Sequence, residues 1–185
     1  MASHDVELLQ ARRLLARKKG QPGKLASARI RRSISTTYYA LFHFVVDEVG
    51  LRLVGTSNDL RTRRRILARM ISHRGAKLVF DKVRGAGIDK SVEDFPRPRG
   101  HGSGSIVTPG FVQTLAKVFI DAQTKRHDAD YDLNTPVSEK DARLLHARVK
   151  RAIAAWRAAS APADRDMKAA PCTLILLKGQ LRPDL

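Results

Sequence analysis

The sequence predicts an all-α fold, an up-and-down bundle of about five helices. Apolar residues recur at helical spacing in five separate stretches, no stretch shows the pattern of a β-strand, and 43% of the 185 residues are hydrophobic. That apolar fraction is enough for a chain of this length to bury a real core. We assign residues 1–160 to the bundle, with a long Gly- and Pro-rich basic loop at 84–109. A C-terminal tail follows at 161–185 and contains one short apolar segment.

The central helix of the bundle is predicted over Leu25–Val49. Its apolar positions form a broad arc, made by Ile34, Tyr38, Leu41, Phe42, Val45, Val46 and Val49. An arc this wide is typical of a helix that is packed by several neighbours. The opposite side carries a polar line, made by Arg29, Arg32, Thr36, His43 and Asp47. This line is either the one solvent face of the helix or a functional seam, and Gly50 is predicted to close the helix.

The remaining helices follow from the same periodicity. The first is predicted over residues 4–19 and ends before Gly20. The third is one long helix at about 58–83, and the fourth runs over about 110–132. Ser138 begins the fifth helix with a variant of the capping box.

Charge and composition limit the possible ligands and the possible location of the protein. The chain has 35 Lys and Arg against 18 Asp and Glu, a net charge of +17, which favours a polyanionic partner, either nucleic acid or an acidic protein. The single cysteine permits no internal disulfide and suits a reducing compartment. No apolar run is long enough to cross a membrane, and the N-terminus lacks the apolar region of a signal peptide. We therefore expect a cytoplasmic protein with no membrane partner.

Basic residues in two regions are predicted to contact nucleic acid. They are Arg61, Arg64, Arg65, Arg69, Arg97 and Arg99. Arg61, Arg65 and Arg69 lie four residues apart, where like charges on a helix repel, so we expect a chain that keeps them to use them. A solvated basic face is the alternative interpretation.

The sequence predicts no metal site and no cofactor. Asp128, Asp130, Asp132 and Glu139 fall at ligand positions of a calcium-binding loop, but Leu133 occupies the position at which the sharp turn requires glycine. Neither a glycine-rich phosphate loop nor a zinc-ligand spacing is present.

Three segments in a fixed order carry a resemblance to a known family. They are Tyr38 to His43 (YYALFH), Ser72-His73 leading to Phe80, and Arg126 to Asp132, which ends in ADYD. With them, about residues 5–158 resemble a HEPN-domain protein (higher eukaryotes and prokaryotes nucleotide-binding). The resemblance implies a helical bundle that usually forms a homodimer. It also implies RNA or nucleotide as a ligand, and for many members an antitoxin or nucleotidyltransferase as partner protein.

Many HEPN proteins are metal-independent endoribonucleases, often toxins, and others are non-catalytic modules that bind RNA or a partner. The catalytic members carry an arginine, commonly followed by Asn, Asp or His, and a second histidine four to six residues after the arginine. Arg126-His127 matches the first half of that motif, but the second half is absent, because Tyr131, Asp132 and Leu133 occupy the positions open to the histidine. The predicted function is an RNA-processing or toxin–antitoxin-like component, for which metal-independent endoribonuclease activity is a candidate. The alternative is a non-catalytic helical dimer that binds RNA or an acidic partner protein.

A mechanism can be stated for the catalytic alternative. RNA cleavage without a metal needs a base for the 2′-hydroxyl, an acid for the leaving oxygen and a cation for the phosphorane. His127 is the candidate base and Arg126 the phosphate clamp, with His73 or Tyr131 completing the set. The structural alternative is that Arg126 pairs with Asp130 four residues later while Tyr131 closes the end of the bundle.

Overall fold

The computed structural model describes residues 3–16, 23–89, 92, 106–132 and 134–177. Within these ranges lie seven α-helices: α1 Ser3–Leu14, α2 Gly23–Leu53, α3 Arg61–Ala68, α4 His73–Val83, α5 Gly110–Tyr131, α6 Glu139–Ala158 and α7 Pro162–Leu176. A short 3-10 helix, Asn58–Leu60, precedes α3. The β-structure in the described ranges is limited to a single bridge between Gly87 and Val107. The all-α prediction is confirmed, but the predicted helix count was too low.

Contacts divide the chain into two compact units. The first unit comprises Met1–Phe44 and Val118–Ala154, and the second comprises Val45–Lys117 and Ala155–Leu185. None of the helices in the described ranges is both long and apolar enough to cross a membrane.

The core of the first unit is built on α2. Tyr38 is buried and packs edge-on against Phe119 of α5, with their ring centroids 5.7 Å apart. Ser33 is also buried, and its hydroxyl donates to the carbonyl of Ala11 on α1 over 2.9 Å. The predicted polar line is not one continuous solvent face, because Thr36 is buried and donates to the carbonyl of Arg32 at 2.8 Å. Polar side chains on α2 are therefore buried where a hydrogen-bond partner is available.

The end of α2 lies beyond the predicted position. The helix passes through Gly50 and ends at Leu53, because a glycine inside a helix costs only about 1 kcal/mol. The aliphatic part of Arg64 packs beside Gly50, where a Cβ would meet it at 3.5 Å. The chain turns at Gly55, whose φ of 109° lies in the left-handed region that favours glycine.

The first helix ends at Leu14 rather than near residue 19. Two arginine side chains explain the early end: Arg29 donates to the carbonyl of Ala16, and Arg143 donates to the carbonyl of Leu15. These donors satisfy carbonyl groups that a longer helix would have bonded internally. Gly20, the predicted terminator, lies outside the described residues.

The predicted long helix at 58–83 was wrong, because the chain forms α3 and α4 with a break between them. Ser72 begins α4 as its N-cap, and its hydroxyl accepts from the backbone N–H of Gly75 at 3.0 Å. Met70 lies in the break and is 65% exposed. Ser72 therefore starts a new helix, although apolar residues recur at helical spacing on both sides of it.

The segment after residue 160 contains a helix that the sequence did not predict. Pro162 stands at the first position of α7, and Asp164 accepts a hydrogen bond of 3.1 Å from the backbone N–H of Ala161. The predicted apolar segment lies near the end of α7, where Leu174 and Ile175 are buried. Contacts in the second unit include those between α7 and α4.

Two smaller predictions concern the loop and the last predicted helix. The ends of the loop at 84–109 are described: Thr108 donates its backbone N–H to the carbonyl of Ala86 at 2.9 Å. The predicted N-cap of α6 is confirmed, because the Ser138 hydroxyl accepts from the backbone N–H of Asp141 at 3.0 Å.

Candidate functional site

A polar stripe on α2 organises the site in the first unit. Arg31, Ser35, Tyr39 and His43 follow one another at intervals of four residues and therefore lie along one side of the helix. Three of them contact the last turns of α5, and His43 Nδ1 lies 2.8 Å from Glu7 of α1. The stripe places polar groups of α2 beside the last turns of α5, which carry the candidate residues Arg126 and His127.

Arg31 binds the C-terminal end of α5. Its guanidinium donates to the carbonyl oxygens of Asp128, Ala129, Asp132 and Thr135, at 3.2, 3.1, 2.9 and 2.6 Å. The Asp128 carbonyl also accepts from the backbone N–H of Asp132 at 3.1 Å, so Arg31 adds to the backbone bonding there, and its charge opposes the negative end of the helix dipole. Arg31 thus fixes the backbone next to the candidate catalytic residues.

Arg126 is held in place by partners on two helices. Its Nη2 donates to the hydroxyl of Tyr39 at 2.9 Å, and its Nε lies 2.6 Å from Oδ2 of Asp130. The guanidinium also lies over two rings, 5.5 Å from the centroid of Tyr39 and 5.3 Å from that of Tyr131. The side chain is 22% exposed, so solvent still reaches a guanidinium whose position is fixed.

The electrostatic environment keeps Arg126 charged. Burial alone would lower the pKa of Arg126, but Tyr39 and Asp130 more than offset this effect, and the pKa is raised. Asp130 also accepts a hydrogen bond from Ser35, so both helices position its carboxylate. The predicted ion pair between Arg126 and Asp130 is therefore formed.

Two further predicted residues lie beside Arg126. His127 is exposed, and its ring centroid lies 5.1 Å from that of Tyr131, which is 65% exposed. A fixed guanidinium and an exposed imidazole on either side of the Tyr131 ring supply a cation for a phosphate and a side chain that can accept or donate a proton. Tyr131 does not close the end of a buried core, because most of its surface faces solvent.

The fourth predicted residue, His73, belongs to the second unit. It is the first residue of α4 and is half-buried. The structure therefore brings together Arg126, His127 and Tyr131 in the first unit, whereas His73 belongs to the second unit.

The predicted basic residues of the second unit differ in their surroundings. Arg61 and Arg65 are exposed on α3, and Arg69 is exposed at its C-terminal end. Arg64 is half-buried, and its Nη1 donates to the carbonyls of Gly55 and Ser57 at 2.6 and 2.8 Å. The loop residues Arg97 and Arg99 lie outside the described residues.

A buried cluster in the second unit was missed by the sequence analysis. Lys168 is buried, with its Nζ 5.5 Å from the ring centroid of Phe111 and 5.6 Å from that of Trp156. The indole N–H of Trp156 donates to Glu48 at 2.8 Å, and Arg52 pairs with the same carboxylate at 2.9 Å. Burial and the nearby Arg52 lower the pKa of Lys168.

Tyr39, Ser35 and Arg31 were also missed as site residues, although the sequence contains a signal for them. Their spacing of four residues inside a mostly apolar helix marks a polar stripe that another element must cover. The broad apolar arc contains Tyr38, which is buried in the core, but does not contain its neighbour Tyr39.

Within the part of the chain that the structure describes, no group of three or more His, Cys, Asp or Glu side chains could hold a metal ion. No protein-family model, curated protein sequence or solved structure matches this chain.

Proposed function

We propose that this chain is a HEPN-type RNA-associated protein that binds RNA phosphates through the exposed arginines of α3. One observation carries the proposal: residues 60–80 contain six arginines and one lysine but no acidic residue. Arg61, Arg65 and Arg69 are exposed in this segment, so their charge is available to a polyanion. The order of the three HEPN-like motifs supports RNA as that polyanion.

The salt dependence of binding tests this proposal. Each phosphate contact with single-stranded RNA contributes about 0.7 to the slope of log K against log salt concentration, because binding releases condensed cations. Replacing Arg61, Arg65 and Arg69 with glutamine should lower the magnitude of that slope by about two, together with the affinity. Fluorescence anisotropy with a labelled single-stranded RNA measures both quantities.

The matched control removes the same charge elsewhere. Arg13, Arg151 and Arg165 are exposed and lie outside α3, so their triple glutamine variant has the same net charge. The control should keep the slope of the unchanged protein. Equal slopes in the two triple variants would show that only overall charge attracts RNA and would refute a site on α3.

The second candidate function is metal-independent RNA cleavage, and the fixed Arg126 beside the exposed His127 favours it. In this mechanism His127 accepts the proton of a 2′-hydroxyl, and the 2′-oxygen attacks the adjacent phosphorus. The bond from phosphorus to the 5′-oxygen breaks as Tyr131 donates a proton to that oxygen. The products are a 2′,3′-cyclic phosphate and a 5′-hydroxyl, and Arg126 neutralises charge on the phosphorane.

Cleavage is tested by incubating the protein with RNA in the presence of EDTA. His127→Gln should reduce the rate by about two to four orders of magnitude, the usual contribution of a general base. Tyr39→Phe should reduce it less, because it removes a positioning hydrogen bond to Arg126 but leaves the candidate base intact. Stable RNA in every sample would refute the enzyme and leave the binding function as the proposal.

The proposal includes the partners that the resemblance implies, a homodimer and an antitoxin or nucleotidyltransferase protein. Analytical ultracentrifugation should give twice the mass of the chain at micromolar concentration. A monomer over the whole concentration range would contradict the dimer.

A further inference from the structure

A groove between α1 and α6 lies within the first unit. Its lining includes none of the residues of the α2 stripe, of the Arg126 site or of α3. It has a volume of about 270 Å³, and its walls are formed by Asp5, Leu8, Leu9, Arg12, His146 and Lys150. A space of this size holds several water molecules or one small organic ligand. Part of its lining is apolar, because it includes the buried Leu8 and Leu9, which is 37% exposed.

The charges in the groove favour an anion. Arg12 of α1 and Lys150 of α6 are both exposed, and within the described residues neither forms an ion pair. Asp5 is the acidic residue of the lining, and it lies 3.7 Å from Nε2 of His4. Two cations therefore face one carboxylate across a partly apolar space.

His146 adds a hydrogen-bonding group of defined polarity. Its Nε2 lies 3.0 Å from the carbonyl oxygen of Leu8. Because a carbonyl oxygen only accepts, Nε2 carries the hydrogen, and in the neutral ring Nδ1 is left as an acceptor. Burial, assisted by Lys150 and Arg12, lowers the pKa of His146, which favours the neutral ring.

We propose that this groove binds a phosphate monoester, with the phosphate between Arg12 and Lys150 and the carbon part of the ester on Leu8 and Leu9. Two cations on opposite walls match the charge of a phosphate dianion, and both make charge-assisted hydrogen bonds to its oxygens. The two leucines distinguish an ester from inorganic phosphate, because only the ester has carbon atoms to bury against them.

Binding should also take up a proton. His146 faces Arg12 and Asp5 from α1 and Lys150 from its own helix. A bound dianion reverses the positive potential that opposes protonation of Nδ1, and the pKa of His146 therefore rises in the complex. Affinity increases as pH falls toward that raised pKa, since the complex then binds one proton more than the free protein.

Isothermal titration calorimetry with butyl phosphate, inorganic phosphate and butanol tests the ligand class. Butyl phosphate should bind more tightly than inorganic phosphate, and butanol should not bind. Arg12→Gln and Lys150→Gln should each weaken butyl phosphate about tenfold or more, the loss expected for one charge-assisted hydrogen bond. Arg13→Gln and Arg151→Gln are the matched controls, because both residues are exposed neighbours that do not line the groove.

Equal effects of the four substitutions, or equal affinities for inorganic and butyl phosphate, would overturn the proposal. The proton coupling is measured with sulfate, which stays a dianion where phosphate titrates. Sulfate affinity should rise from about pH 8 to about pH 5 in the unchanged protein and stay flat in His146→Gln, whose amide can still donate to Leu8. These ligands are small, so the result is independent of whether the protein binds or cleaves RNA.

Discussion

Four arginines bind backbone carbonyl groups at places where the chain leaves a helix. Arg31 binds the end of α5, Arg29 and Arg143 bind Ala16 and Leu15 after α1, and Arg64 binds the loop after α2. A guanidinium has five N–H donors in a fixed plane, so one side chain can satisfy several carbonyls at once. Part of the net charge of +17 therefore stabilises the fold and is not freely available to a polyanionic partner.

Arg31→Met tests this role at the residue scale. The substitution keeps much of the length of the side chain but removes the guanidinium hydrogen bonds to the carbonyls at the end of α5. We expect a loss of about 2 kcal/mol in the free energy of unfolding, the usual contribution of hydrogen bonds to a charged group.

Urea denaturation followed by circular dichroism measures the change. Arg32→Met is the control, because Arg32 is exposed on the same helix, and it should change stability by less than about 0.5 kcal/mol. Equal midpoints for the two variants would show that the Arg31 contacts contribute nothing to stability.

At the scale of the element, the boundary between α3 and α4 rests on one side chain. Ser72 has an extended backbone, φ −103° and ψ 151°, and its hydroxyl caps the first turn of α4. Gly75 allows this contact, since a Cβ there would lie 3.0 Å from the hydroxyl oxygen of Ser72. The helical period continues across the break in the sequence, and for this reason apolar periodicity alone predicted a single helix.

Ser72→Ala should destabilise the protein by about 1 kcal/mol, because it removes the acceptor of an otherwise unbonded N–H at the start of α4. Ser72→Asp should retain most of the stability, since a carboxylate also accepts at this position. Thermal unfolding of the unchanged protein and of the two variants measures the order of their stabilities. An alanine variant as stable as the aspartate variant would contradict the cap.

Contacts within one helix can be predicted from the sequence more readily than contacts between distant parts of the chain. The ion pair of Arg126 with Asp130 follows from a spacing of four residues within one helix, and the structure contains it. The hydrogen bond from Arg126 to Tyr39 joins residues 87 positions apart, so no local pattern could predict it. The apolar arc of α2 predicted a central helix, whereas α7 was missed because Pro171 lies inside it.

At the scale of the whole molecule, the only cysteine reports on the packing of α7 in the second unit. Cys172 is buried, and desolvation raises the pKa of its thiol to about 12. The thiolate is the reactive form, so the native thiol should be inert near neutral pH and should not become reactive by about pH 9.

Alkylation with iodoacetamide, read by mass spectrometry, should therefore proceed only as fast as α7 opens or the protein unfolds. Full modification within minutes in urea is the positive control. Equally rapid modification in native buffer would show that Cys172 is accessible and that α7 does not pack as described.

The distribution of aromatic side chains gives each unit its own optical signal. The chain has one tryptophan, Trp156, which belongs to the second unit, and three tyrosines, Tyr38, Tyr39 and Tyr131, which all belong to the first. Indole emission, set by Glu48, Arg52 and Lys168 around the ring, reports on the second unit alone. Tyrosine absorbance in the near ultraviolet reports on the first unit. Unfolding of the two units can thus be followed separately in the unlabelled protein.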